Sequence, residues 1–144
     1  MAKKKKSIEE TDKSIGHKCD DAPRPFTYKC YLDRVVDGDT IDVDIDLEFN
    51  VVLSKQRIRL AGIDTPESRT RDLKEKALGL EAKKLLGHLC ESDFVLESLG
   101  RGKYGRILGV LYDGQGYSIN QKLIDADLAV EYWGGTKTKV WGDY

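Results

Sequence analysis

VVDGDTIDVDIDLEF, residues 35–49, holds a tight turn followed by a strict alternation. From Thr40 onward, Ile41, Val43, Ile45 and Leu47 alternate with Asp42, Asp44, Asp46 and Glu48. A period of two is the signature of a strand, here with one apolar face for a core and one acidic face for water. Asp37-Gly38 is a hairpin-turn pair, so the preceding run, Tyr28 to Val36, is expected as the partner strand. Asn50 marks a second turn, and Val51 to Ile63 is expected as a third strand.

A lysine-rich, Leu/Ala-patterned helix is expected from about Asp72 to Cys90. Phe94 to Ser98 and Ile107 to Tyr112 read as two further strands, joined by the Gly- and Arg-rich stretch 100–106. Asp113-Gly-Gln-Gly is a turn, and Ser118 is placed to cap a short helix reaching about Leu128. Five short strands with a helix between the third and fourth, and a second helix near the C-terminus, predict an α+β, mainly β fold: an OB-fold barrel. Residues 1–25 are a charged arm without periodicity, 26–133 the barrel domain, and 134–144 a tail.

The chain has 144 residues, 34% charged and 40% hydrophobic, enough for one domain with a real core. No apolar run approaches the roughly 18 residues of a membrane span. Lys3 to Lys6 are not followed by an apolar segment, so a cytoplasmic protein without a secretion signal is expected. A net charge of −1 makes any polyanion site a local patch. Basic residues do cluster, at Arg57/Arg59, Arg69/Arg71, Arg101/Lys103/Arg106 and Lys137/Lys139, although such clusters are ordinarily solvated surface. Cys19, Cys30 and Cys90 have no CxxC spacing, and with His17 they match no standard zinc site.

Chemistry concentrates at strand ends. Asp39 shares the parity of Ile41 and Val43, and Asp64 that of Ile58 and Leu60, so both carboxylates lean toward the apolar face. Two such groups repel unless a cation joins them, and a hard cation taking oxygen ligands, with the Thr65 carbonyl, meets that need. Simple alternation puts Arg59 on the face opposite Asp64; a bulge at Gly62 resolves the conflict. Thr65-Pro66-Glu67 has a second reading as a helix start, with Thr at the N-cap and Pro at the first helical position.

Three boxes stand in order: Asp37-Gly38-Asp39-Thr40, then Arg59 five residues before Asp64-Thr65-Pro66-Glu67, then Lys103-Tyr104-Gly105-Arg106. On these the chain resembles the staphylococcal nuclease (thermonuclease) family, over about Tyr28 to Tyr132. The resemblance implies a calcium-dependent nuclease that cuts DNA, RNA or both and leaves 3′-phosphates. It implies Asp39, Asp64 and the Thr65 carbonyl as calcium ligands and Glu67 as general base or water-orienting group. Arg59 and Arg106 would stabilise the transition state, and Lys103, Tyr104 and Tyr132 would line a nucleotide pocket. A monomer is expected.

The segment between Asp39 and Arg59 is longer than in the secreted nucleases, which predicts an extended hairpin, and the long C-terminal helix is replaced by the tail. The ending YWGGTKTK is similar to phage-encoded and intracellular bacterial members. Degenerate relatives bind nucleic acid without cutting, and a non-catalytic binding barrel is the alternative; here every member of the catalytic set is present. A purely structural barrel leaves Asp39, Arg59 and Arg106 unexplained.

Overall fold

Alternation in residues 27–60 folds into three antiparallel strands of a computed structural model that describes residues 25–135 and 141. They are β1 (Thr27–Asp37), β2 (Thr40–Asp46) and β3 (Val52–Leu60). Ile41, Val43, Ile45, Ile58 and Leu60 all point into one core. The chain then forms a short β4 (Ile63–Asp64), helix α1 (Leu73–Leu89), β5 (Phe94–Arg101) and β6 (Ile107–Asp113). Helix α2 (Ile119–Asp125) and β7 (Val130–Glu131) complete it.

The strand order β1-β2-β3-β6-β5 closes on itself as a barrel. Closure is made by antiparallel β1–β5 pairs from Thr27↔Glu97 to Cys30↔Phe94, and by a short parallel ladder, Ile58↔Ile107 to Leu60↔Gly109. This is the OB-fold expected from the element order. Phe94, Leu96 and Leu111 fill the interior, and Leu86 of α1 and Leu123 of α2 are sealed against it. Cys30 and Cys90 are buried free thiols in that core, and burial pushes both up to about 12. His17 and Cys19, the arm, and all of the tail except Gly134, Gly135 and Trp141 lie outside the described residues.

Four expectations need correction. The third strand does not run from Val51 to Ile63. It stops at Leu60, Ala61 and Gly62 make a turn with Gly62 at φ 77°, and Ile63–Asp64 pairs instead with β7. Buried Asn120 fastens that turn, donating to the Ala61 carbonyl at 2.8 Å and accepting from the Leu111 amide at 3.1 Å.

The outer face of β2 is not uniformly wet either. Asp42 is buried, because Arg34 from β1 and Arg57 from β3 close over it. Next, α1 is capped by Asp72, whose side chain accepts from the Lys74 and Glu75 amides, so Thr65-Pro66-Glu67 is not the helix start. Finally, α2 ends at Asp125, three residues early, where Asp127 takes a left-handed φ of 61°.

The Asn50 turn is real but broader than a single residue. Glu48, Phe49 and Asn50 are all left-handed, closed by Leu47 N–H to Val51 carbonyl at 2.9 Å.

Candidate active site

Each box of the sequence sits where one element hands over to the next. The first lies in the β1–β2 turn. Asp37 Oδ1 accepts from the Gly38 amide at 3.1 Å and from Ser68 Oγ at 2.8 Å, which ties this turn to the loop after β4. Gly38 is required by space: a Cβ there would lie 2.7 Å from Ala82 Cβ and 2.9 Å from Thr65 Oγ1. Turn, loop and helix α1 therefore meet at one point.

Gly79 does the same one turn earlier on α1. An added Cβ would stand 2.5 Å from the Glu67 carbonyl oxygen, so the Glu67–Ser68 backbone lies directly on the helix. The Glu67 amide also donates to Glu75 Oε2 at 3.0 Å. The loop is held by its backbone, with Pro66 buried on one side of Glu67, Ser68 buried on the other, and the Glu67 residue itself exposed.

Arg59 is the hub. Its guanidinium donates to the Leu60 carbonyl at 2.6 Å and the Ile63 carbonyl at 2.9 Å, and it lies 3.5 Å from Asp39 Oδ2. The break at Ala61–Gly62 is what allows this. The chain folds back around the arginine, so Arg59 touches both Asp39 and the residue before Asp64. Asp39 Oδ1 accepts from Thr40 Oγ1 at 3.0 Å.

Arg59 and Arg106 line one cavity of about 430 Å³, together with Lys103, Tyr104, Tyr132 and Trp133. The Lys103–Arg106 loop is braced by Arg101, which donates to the Gly105 carbonyl at 2.7 Å and to Gln56 Oε1 at 3.2 Å. Tyr104 is 85% exposed at the rim. Tyr132 anchors the opposite wall through its amide to the Gly62 carbonyl and its hydroxyl to the Gly135 carbonyl.

Five of the nine residues singled out in the sequence thus share one cavity: Arg59, Lys103, Tyr104, Arg106 and Tyr132. Asp39, Asp64, Thr65 and Glu67 are not among its lining residues, and Arg59 is the link to the first two. Sequence pattern did not pick out Trp133, whose exposed ring covers Gly62, nor Asn120, Ser68 and Gly79, and it marked Arg101 only as part of a basic cluster. Trp133 had a signal, an aromatic pair before two glycines, but no periodicity to place it.

The donors suit a hard cation. Asp39 and Asp64 supply carboxylate oxygens, Asp64 is buried, and Thr65 Oγ1 is buried without a hydrogen-bond partner among the described residues. Among those residues no three His, Cys, Asp or Glu side chains converge as a metal cluster.

Residues 57–140 match the family model described as staphylococcal nuclease homologue. The chain is 36% identical to an uncharacterized endonuclease of Escherichia coli over 100 residues, covering 69% of this chain and 58% of that protein. It is 35% identical to a thermonuclease of Staphylococcus hyicus over 106 residues, covering 72% and 57% respectively. An endonuclease of Bacillus subtilis (strain 168) matches at 30% over 115 residues, 74% of this chain but only 9% of that protein. The chain thus spans little more than half the length of the first two relatives.

Proposed function

The chain belongs to the staphylococcal nuclease family, and on that premise we propose that it is a calcium-dependent endonuclease that hydrolyses DNA, RNA or both and leaves 3′-phosphates. The observation that carries this reading is the meeting of Arg59 and Arg106 in one cavity, with Arg59 also in contact with Asp39. Two guanidiniums in an aromatic-walled cleft, one of them 3.5 Å from a carboxylate, suit a phosphodiester far better than a neutral ligand.

Asp39, Asp64 and the Thr65 carbonyl are the residues that would hold calcium, which when bound supplies positive charge beside the phosphate. Arg59, already fixed by two backbone carbonyls, keeps its orientation before substrate arrives, so no reorganisation is needed as charge grows on the phosphate oxygens. Arg106 has no side-chain partner among the described residues and is free to meet the phosphate. Glu67, exposed on a loop whose backbone is clamped to α1, takes the proton of the attacking water. Tyr104, Tyr132 and Trp133 offer aromatic faces to the nucleotide, and Lys103 a cation at the rim.

The barrel, residues 26–133, is the unit that carries the activity, and it acts as a monomer. The chemistry is read from the product ends: cleavage of a single strand should give fragments whose free 5′-hydroxyls a kinase phosphorylates directly and whose 3′ ends a ligase refuses until the 3′-phosphate is removed. Fragments with free 3′-hydroxyls would overturn the proposed bond polarity.

A further inference from the structure

Arg34, Asp42 and Arg57 form a group that the site above does not use. Asp42 accepts from Arg57 Nε at 2.9 Å, Arg57 Nη2 at 3.1 Å and Arg34 Nε at 3.0 Å. Its carboxylate is nearly sealed, while the Arg34 and Arg57 side chains are 61% and 43% exposed. One buried anion thus holds two exposed cations, an excess of one positive charge. A guanidinium carries five N–H donors, and here three of the ten are taken by Asp42. Neither arginine has another acceptor among the described residues.

Position gives the excess charge a meaning. Thr40↔Arg59 and Asp42↔Arg57 are neighbouring pairs on the β2–β3 ladder, and Arg34↔Asp42 continues the row onto β1. Arg57 and Arg59 therefore share the outer face of β3, two residues and about 6.5 Å apart. That is close to one nucleotide step of an extended strand. The β2–β3 face is also the side of an OB barrel that carries oligonucleotides.

Stability alone accounts poorly for the arrangement. A single arginine satisfies a carboxylate bidentately, and a buried ion pair is weak grounds for stability. Beyond the pair, the row turns acidic, with Asp44 on β2 and Asp46 at its end.

Resting on the nuclease reading, we propose that Arg34 and Arg57, braced by Asp42, are a second phosphate clamp that grips the backbone one step from the phosphate cut between Arg59 and Arg106. The acidic residues beyond it end the track, so the clamp takes one or two phosphates and no long stretch of polymer.

Binding of single-stranded thymidine oligonucleotides to the full chain, in chelator so that nothing is cut, tests this without relying on catalysis. The wild-type chain should prefer a twelve-nucleotide strand to a dinucleotide. In Arg34→Gln that advantage should shrink about three- to tenfold at low salt, and the slope of log affinity against log salt should flatten by about 0.7, the release of one phosphate's counterion. Arg34→Lys should fall between. If Arg57→Gln alone unfolds the barrel, Asp42→Asn/Arg57→Gln removes the anion with its partner and should reproduce the loss.

Arg34→Gln binding the long strand with wild-type affinity and slope would overturn the clamp, as would equal weakening for both lengths. A wild-type chain that binds neither length overturns it too. A chain that depends on Arg34 for binding yet never cuts keeps the clamp and loses the nuclease. A chain that cuts while ignoring Arg34 does the reverse.

Discussion

Arg106 and Thr65 make opposite demands on their surroundings. Arg106 has cavity on one side and no protein acceptor among the described residues, so its value lies in what it meets at the transition state. Arg106→Ala should leave the fold intact and lower kcat by roughly 10²–10³, about 2.7–4 kcal/mol, with a smaller change in KM. Arg106→Lys should recover little, since an ammonium lacks the planar fork. Steady-state kinetics on a defined oligonucleotide reads both. Thr65 is the reverse case, a buried hydroxyl without a hydrogen-bond partner among the described residues. If only its carbonyl serves calcium, Thr65→Val should keep activity and raise stability by roughly 1 kcal/mol, since an unsatisfied buried hydroxyl costs about that much. A Thr65→Val chain that folds well and needs more calcium for activity would move the ligand role to the hydroxyl. These residues were legible because each box sets a charge on a strand end or beside a glycine. Glu67 was legible as an acid, but its exposure and its clamped backbone depend on Gly79, which sequence spacing does not connect to it.

Between strands, what the sequence hides is the lateral neighbour. Alternation in TIDVDIDLEF placed Ile41, Val43 and Ile45 inward correctly, yet it assigned Asp42 to water, since period two knows nothing of Arg34 and Arg57 on adjacent strands. The two guanidiniums, Arg57 by its hydrogen bonds first, hold the Asp42 carboxyl below the ordinary carboxylate value. A folded-state pKa below the unfolded one contributes stability that is present in full above about pH 4 and is lost as pH falls through the folded value. Urea unfolding of wild type and Asp42→Asn should therefore differ most near neutral pH and converge in acid. A gap that stays constant with pH would mean the carboxylate's charge is irrelevant.

The Ala61–Gly62 break was equally hidden. A run from Val51 to Ile63 looks like one strand, and the residue that enforces the turn, Asn120, is 59 positions from the carbonyl it holds. Asn120→Ala strands that carbonyl and the Leu111 amide. It should cost about 1–3 kcal/mol in thermal or chemical unfolding, and it should weaken activity further by loosening Arg59, whose acceptors flank the turn.

At the scale of the molecule the outline was readable: element order, barrel closure and the three boxes in sequence. The β4–β7 pair was not, because two-residue strands carry no period, and that pair brings Tyr132 and Trp133 across from Arg59. Among the described residues no helix is long and apolar enough to cross a membrane. With a net charge of −1, the proposed attraction to nucleic acid draws on local basic groups, Arg59, Arg106 and Arg57 among them. Cleavage should accordingly fall steeply with salt while the fold does not.

The proposed activity depends most directly on Asp39, Asp64 and the cation they would hold. The deciding measurement is the rate of single-stranded DNA cleavage by the full chain across a calcium titration, repeated with magnesium, with a calcium-selective chelator, and with Asp39→Ala. Calcium tolerates six to eight oxygens at about 2.3–2.6 Å, whereas magnesium demands near-ideal octahedral geometry at about 2.0–2.1 Å, which a site with two carboxylates and a carbonyl does not impose. Activation by calcium should be saturable, absent in chelator and poorly rescued by magnesium, and a folded Asp39→Ala chain should show a right-shifted calcium curve. Full activity in chelator, or magnesium serving as well as calcium, would contradict it.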